Sequence, residues 1–439
     1  MANSNTVMRL FDFLHNSPMP WHAVMNMAKR LDAAGFTFLD EINAWSIMPG
    51  GRYYTVRNGS SLIAFQLPEG KLDSLRMIGA HTDSPGLRLK PRPTITSRNW
   101  LQLGIEVYGG ALLAPWFDRD LGLAGRVHVR KADGSIEGLL INVDRPVAII
   151  PSLAIHLDRE ANQGRALNAQ TQMAPILWQM PERTQENGEY YEIETLLKRW
   201  LNEQHGLDQV DILDFELGFY DVQPPSQVGI EGELIASSRL DNLLSCFCGL
   251  EALLQCDGTQ GALFVANDHE EVGSASASGA HGTMLADVLH RLNETVGTGG
   301  EEGRIRMIQR SRMISCDNAH GLHPNFADKH DAAHGPKLNA GPVIKVNANQ
   351  RYATNSATAA MFRDICHTQG VPVQTFVTRA DMGCGSTIGP ITASEIGVPT
   401  LDVGLPQWAM HSIRETAGAH DPDYLICALR AFCNRRVLN

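Results

Sequence analysis

Polar and apolar positions along the chain change period three times. Residues 5–16 and 20–34 carry apolar side chains at helical spacing. The second segment has Pro20 in its first turn, Val24, Ala28 and Leu31 on one stripe, and Gly35 as a stop. Arg52 to Leu67 reads as two strands around Asn58-Gly59, a dipeptide that accepts positive φ at both turn positions, so a hairpin is expected. Leu75 to Ala80 is a short strand that runs into His81-Thr82-Asp83.

From about Pro91 the period becomes two. Leu101, Leu103, Ile105 and Val107 alternate with polar or small residues, and Val127 and Val129 lead through an Asp133-Gly134 turn to a return strand at 139–143. After a polar run at 184–190 come a helical pattern over 192–204, a strand over 210–220, and Pro224-Pro225. From Leu234 strand and helix alternate again. A helix is expected over 243–254 and a buried strand over 263–267, with further strands at 313–316, 342–346, 373–377 and 400–403. The small-residue tract 273–279 reads equally as a flexible or a close-packed loop, and 297–303 reads as a solvated one. The expected organisation is an α/β domain made of residues 1–92 and 236–439, interrupted by a β-rich insertion at 93–235.

A length of 439 residues fits two domains, and 43% hydrophobic with 19% charged residues is an ordinary globular balance. The net charge of -11 argues against a nucleic-acid partner, which needs a basic excess to displace counterions from phosphates. Residues 1–15 lack the features of a signal peptide, and no apolar run reaches the roughly 18–20 residues of a membrane span. All eight cysteines lie from Cys246 onward with no CxxC pair, which points to reduced thiols and a cytoplasmic location.

The candidate chemistry begins where the strand at 263–267 empties into Asp268-His269-Glu270-Glu271. Adjacent carboxylates at the end of a buried strand repel one another unless a positive group, such as a metal ion, sits against them. An acidic turn in solvent is the ordinary alternative. His81 and Asp83, two residues apart on an extended chain, share a face, so the carboxylate can hold the imidazole while the other ring nitrogen ligates metal. Asp241 precedes an apolar helix and reads either as a ligand or as an N-cap. Asp317 follows a strand, and strand ends are where α/β sheets place functional groups. His411 lies in an apolar stretch where a core histidine is the alternative. Taken together, His81, Asp241, Asp317, His411 and one carboxylate of the Glu270-Glu271 pair would give two Zn²⁺ ions nitrogen-and-oxygen shells, leaving the other carboxylate of the pair as a base.

This ordered set resembles the aspartyl aminopeptidase family of metalloaminopeptidases. The segments that carry the likeness are Gly79 to Pro85, Asn267 to Ser274, Ile149 to Leu157, Gly341 to Asn347, Cys384 to Pro390 and Ala409 to Glu415. The resemblance implies a zinc-exopeptidase-like sheet flanked by helices, and release of N-terminal residues, preferentially Asp or Glu, from peptides with free N-termini. It implies one zinc held by His81, Asp241 and Asp317 and a second by Asp241, Glu271 and His411, with Co²⁺ or Mn²⁺ as substitutes. Asp83 would orient His81, and Glu270 would take a proton from the attacking water and return it to the leaving amine. His156, His320, Lys345 and Tyr352 would surround the substrate, with His320 at the oxyanion. Lys345 is the candidate partner for an acidic side chain, the alternative being a solvent-facing strand lysine. The inserted domain would make dimer contacts within a homododecamer, and His156 would reach a neighbouring subunit's site. No nucleic acid and no membrane are expected as partners.

Rival readings are a broader-specificity aminopeptidase, a carboxypeptidase or deacylase of the same co-catalytic zinc class, and a noncatalytic scaffold on a peptidase fold. A cysteine hydrolase using Cys384 lacks a motif-specific base.

Overall fold

The computed structural model describes residues 4–131, 133–180, 192–207 and 210–438, so the polar run at 184–190 falls outside it. The chain opens with the helices Ser4–His15 and Pro20–Ala33 and the strands β1 (Thr37–Phe38), β2 (Arg52–Arg57), β3 (Ser61–Gln66) and β4 (Leu75–His81). Six strands follow: β5 (Gly86–Ser97), β6 (Trp100–Tyr108), β7 (Leu121–Arg130), β8 (Ile136–Ala148), β9 (Ile176–Gln179) and β10 (Asp211–Asp221). Then come β11 (Ser226–Val228), β12 (Leu234–Ser237), β13 (Gly261–Asn267), β14 (Arg312–Cys316) and β15 (Ala319–His320). The last five are β16 (Val343–Lys345), β17 (Gln374–Phe376), β18 (Thr400–Gly404), β19 (Pro406–Trp408) and β20 (Glu415–Gly418). No helix among the described residues is long and apolar enough to cross a membrane.

Two compact units result. The first comprises Met1–Asp83, Pro225–Met410 and Glu415–Asn439. Its main sheet has the order β1-β2-β3-β13-β4-β14-β18-β16-β17, with β13, β4, β14 and β18 mutually parallel. Successive side chains of these strands enter two different cores. Ile78, Ala80, Phe264, Ala266 and Ile314 face one with the helices Ser4–His15, Pro20–Ala33, Leu240–Leu254, Ser356–Gln369 and Asp421–Cys433. Met77, Leu263, Val265 and Met313 face the other with the helices Met284–Val296 and Gly300–Arg310. Burial on both faces explains why β4 and β13 read as continuous apolar runs rather than alternating ones. Each such Leu, Ile or Phe contributes roughly 1.5–3 kcal/mol. The hairpin forms as expected: Asn58 and Gly59 have φ of 54° and 67°, between the paired strands β2 and β3.

Two loop readings are resolved. The tract 273–279 is close-packed: Ser274 is fully buried, and a Cβ on Gly279 would lie 2.2 Å from the Ser274 carbonyl oxygen. Residues 300–303, expected to be solvated loop, form the first turn of the helix Gly300–Arg310, with Met307 and Ile308 anchoring it in the core.

The second unit comprises Ser84–Pro224 and His411–Arg414. It is an antiparallel sheet of order β8-β7-β10-β5-β6-β9. Leu101, Leu103 and Ile105 are buried as the alternation requires, and Val107 is exposed. The helix Ile193–His205 buries Ile193, Leu197, Trp200 and Leu201 and stops at Gly206, in the left-handed conformation at φ 68°.

The expected insertion boundaries at 93 and 235 need correction. Pro91 and Pro93 do not begin a domain; they lie in an irregularity between Leu89 and Thr94 within β5, the place where a strand tolerates residues that cannot donate a ladder hydrogen bond. At the other end, β11 pairs with β12 and β12 with β20 in the first unit's five-stranded sheet, so the switch falls at Pro224-Pro225.

Candidate metal centre

Three neighbouring parallel strands, β13, β4 and β14, end at the same edge of the first unit's sheet. His81 is the last residue of β4 and lies opposite Asn267, the last residue of β13. Beyond Asn267 the chain turns through His269, held at φ 63°, into the short turn Glu270–Val272. Asp317 follows the end of β14. Parallel pairing thus gathers chemistry from residues far apart in sequence.

Asp241 arrives from another direction, at the start of the helix Leu240–Leu254. The helix is kinked there: Asp241, at φ -82° and ψ 106°, and Asn242 are both non-helical, and Arg239 stands at the cap position. His81 Nε2 lies 3.5 Å from Asp241 Oδ1, 3.5 Å from Asp317 Oδ1 and 4.0 Å from Glu270 Oε2. His81, Asp241 and Asp317 form one group with ligand atoms within 4.8 Å of one another, and His81, Glu270 and Glu271 form a second.

Asp83 is fully buried behind this cluster. Its Oδ1 is 3.3 Å from His81 Nδ1 and accepts the Glu270 N–H at 3.1 Å, while Oδ2 accepts the Glu271 N–H at 3.1 Å. One carboxylate therefore orients the imidazole and fixes the backbone of both glutamates. With Nδ1 facing only oxygen acceptors, Nε2 is the nitrogen directed at the other carboxylates.

The electrostatics fit a cation. Burial first, then the neighbouring Asp317, Asp241 and Asp83, pushes the Glu270 carboxyl up to about 8, with His81 opposing. Burial and Asp241 push Glu271 up to about 10. For His81, burial favours the neutral ring, but hydrogen bonds to Asp241, Asp317 and Asp83 outweigh it and raise the pKa well above the usual imidazole value. Asp317 is lowered: burial opposes ionisation, but the Lys345 charge and the His81 hydrogen bond prevail. A cluster of buried carboxylates that competes for protons in this way is a set of hard oxygen donors, and with one imidazole it matches the ligand preferences of a divalent zinc. A bound dication would reverse the upward shifts of the glutamates.

The remaining expected residues fall in different places. Lys345 is not solvent-facing: it is 2% exposed, with Nζ 3.2 Å from Asp317 Oδ2 and 2.9 Å from the Asn318 carbonyl oxygen. Tyr352 is buried beneath Lys345 Nζ, 5.3 Å from the ring centre. His320 is exposed, with its ring set edge-on to Phe376 at 5.7 Å. His320 and Tyr352 line one cavity of about 280 Å³, together with His323, Lys329, Arg379 and Trp408.

His411 and His156 belong to the second unit. His411 adopts φ 69°, and its Nδ1 lies 3.1 Å from the Gly110 carbonyl oxygen, which fixes the tautomer so that Nε2 carries the lone pair. It is bonded directly to Met410, the last residue of a first-unit segment. His156 is exposed.

Sequence reasoning did not single out Glu415. It is 1% exposed, and its Oε2 accepts the backbone N–H of Asp241 at 2.9 Å. Beside Arg414, in a segment with no clear period, it carried no signal. Lys329 and Arg379 were missed because both look like ordinary surface charges.

Comparison with known proteins gives the family. The Peptidase M18 family profile, described as aminopeptidase I zinc metalloprotease, matches residues 13–433. A probable M18 family aminopeptidase 2 of Pseudomonas putida (strain GB-1) is 56% identical over 431 residues, covering 98% of each chain. Among solved structures, the chain resembles one from a cryo-EM structure of the Ape4 and Nbr1 complex, with TM-score 0.92 and 39% identity over 97% of this chain and 85% of that one. It also resembles the S. cerevesiae mApe1 dodecamer, with TM-score 0.83 and 28% identity over 97% of this chain and 95% of that one.

Proposed function

This chain belongs to the M18 family of zinc aminopeptidases, and from that we propose that it removes N-terminal residues, preferentially Asp and Glu, at a centre of two zinc ions with Glu270 as the base. The observation that carries the proposal is the convergence of His81, Asp241 and Asp317 within ligand distance of one another, with Glu270 facing the same imidazole. His81, Asp241 and Asp317 would hold one ion. Asp241, Glu271 and His411 would hold the other, with Asp241 shared.

When bound, the zinc ions supply Lewis acidity to the scissile carbonyl and lower the pKa of the attacking water. Glu270 accepts that water's proton on a side-chain oxygen and delivers it to the departing amine. Asp83 holds the Glu270 backbone so that the carboxylate stays directed at the cluster. Lys345 keeps Asp317 ionised and in place. His320, at the cavity wall, donates toward the carbonyl oxygen as charge develops there.

The side chain of the released residue occupies the cavity of about 280 Å³, where Lys329 and Arg379 supply positive charge between the apolar walls of Phe376 and Trp408. Arg379 is aimed by Asp381, at 2.6 and 2.9 Å, and by the Asp328 carbonyl oxygen. The similarity to a dodecameric relative supports assembly into a homododecamer, in which the exposed His156 reaches a neighbouring subunit.

The test is turnover of Asp-, Glu-, Ala- and Leu-anilides by the zinc-loaded and chelated protein, alongside N-acetylated controls. Zinc-dependent release that favours Asp and Glu and fails on acetylated substrates is expected. Equal rates on all four would remove the acid preference, and activity on the acetylated forms would point to a deacylase.

A further inference from the structure

We propose that Cys256 and Cys433 are a redox-active pair that closes into a reversible disulfide when the protein meets hydrogen peroxide. Cys256 lies just past the helix Leu240–Leu254, and Cys433 is the last residue of the helix Asp421–Cys433. Two hydrogen bonds bracket the pair and hold the two chain segments together. The Asp257 backbone N–H donates to Asn434 Oδ1 at 3.1 Å, and Arg430 Nη1 donates to Gln255 Oε1 at 3.4 Å. Cys256 lies between Gln255 and Asp257, and Cys433 between Arg430 and Asn434. Hydrogen bonding to Cys256 and burial hold the Cys433 thiol well above the usual thiol range, and the Cys256 thiol itself donates to the Ala252 carbonyl oxygen at 3.2 Å.

Their surroundings divide the labour. Cys256 is half-buried and open to a small oxidant, whereas Cys433 is 1% exposed. Arg76, at the start of β4, places a fixed positive charge near Cys433. It is 2% exposed and hydrogen-bonds to Ser74 Oγ and to the carbonyl oxygens of Arg435 and Arg436. No carboxylate among the described residues pairs with it. The Arg76 charge opposes, without overcoming, the rise that the Cys256 contact and burial give the Cys433 thiol, so Cys433 keeps its proton as the resolving partner and the half-buried Cys256 is the one that meets the oxidant.

The chemistry runs in two steps. The Cys256 thiolate attacks one oxygen of hydrogen peroxide; the O–O bond breaks, and the departing hydroxide takes a proton to become water. The Cys433 sulfur then attacks the sulfur of the resulting sulfenic acid; the S–O bond breaks, the S–S bond forms, and the thiol proton leaves with the hydroxyl as a second water. Two electrons pass from the two sulfurs to the peroxide.

Cys246 and Cys316 are buried with thiols pushed up by desolvation. Cys427, whose Sγ faces Gln369 Oε1 at 4.0 Å, neighbours the buried Cys366, and these two are the competing pair. The pair also sits away from the proposed metal ligands. Asp241 begins the helix that ends before Cys256, a distance of about 20 Å at 1.5 Å per residue.

The test treats the full-length protein with hydrogen peroxide, alkylates the remaining thiols and maps peptides without reduction. A linked Cys256–Cys433 peptide that disappears on reduction is expected, with a raised melting temperature and unchanged turnover in the oxidised protein. Cys256→Ser should abolish the link and leave reduced-state activity unchanged. The proposal is overturned if Cys433 stays fully alkylatable, if Cys256 proceeds to sulfinic acid without the link, or if the dominant disulfide joins other cysteines. Because the peptides are mapped on the unsubstituted protein, the link is detected or excluded even where a variant folds poorly.

Discussion

The Glu415 carboxylate accepts the backbone N–H of Asp241 at 2.9 Å across 174 residues of sequence. Gln407 Nε2 donates to the other oxygen of Glu415 at 3.4 Å, and Asn318 Nδ2 donates to both Gln407 Oε1 and the Leu240 carbonyl oxygen at 2.8 Å. A proposed metal ligand is therefore positioned through its backbone by a buried polar chain, one member of which, Gln407, also lines the cavity of about 280 Å³.

Replacing Glu415 with Ala removes the acceptor of the Asp241 N–H. We expect a stability loss of about 1–3 kcal/mol and zinc binding weakened by roughly 10–100-fold, with Gln restoring most of both. Zinc titration alongside denaturant unfolding checks this; a loss of stability with unchanged zinc affinity would reduce Glu415 to a packing residue.

Glu270→Gln keeps the shape of the side chain but removes its capacity to take a proton. Turnover should fall about 10²–10⁴-fold while zinc content stays at the level of the unsubstituted enzyme. Near-normal turnover with full zinc occupancy would transfer the base role elsewhere.

Arg379→Ala tests the assignment of the cavity. The kcat/KM ratio for Glu- over Leu-anilide should fall by about tenfold, or ~1.4 kcal/mol of transition-state discrimination. Because Arg379 is not one of the proposed ligands, hydrolysis of the Leu substrate should change little. An unchanged ratio would place acid recognition at another residue.

Asp421 gives a pH signature separate from the metal centre. Burial pushes its carboxyl up to about 7, although the backbone N–H groups of Asn339 and Gly341 donate to it and oppose the shift. A raised carboxyl pKa means the folded state holds the proton more tightly than the unfolded chain. The associated stability is fully present below about pH 4 and is lost as pH rises through 7, on the order of 4 kcal/mol in all. The stability difference between the unsubstituted protein and Asp421→Asn, both chelated, should narrow from pH 5 to pH 8. A constant difference would show that Asp421 ionises normally.

What was legible in the sequence follows from how strongly each feature constrains its neighbours. β4 and β13 are buried on both faces, so their apolar runs stood out, and the Asn58-Gly59 turn has few alternatives. The β11–β12–β20–β19–β15 sheet left no such trace because its strands are two to four residues long, too short to show a period. Pro91 and Pro93 looked like a boundary because sequence alone does not distinguish a linker from a bulge in a strand. The strand-end candidates His81 and Asp317 were readable because parallel sheets place functional groups there. The partner of Lys345 was not: burial of a lysine depends on which carboxylate the tertiary fold brings to it, and Asp317 is 28 residues away.

The strand order has a consequence for synthesis. β3 and β4 are consecutive in the chain, yet β13 lies between them in the sheet, and β14 takes the other side of β4. The β13 edge of β4, a strand buried along its whole length, therefore waits until about 180 further residues have been made and the β14 edge until about 230, on the order of 10–50 s at ribosomal speed. During that interval the nascent chain carries an unsatisfied sticky edge, the kind of segment that recruits chaperones or seeds aggregates, and the N-terminal third of the protein is the part most dependent on shelter before the remainder emerges.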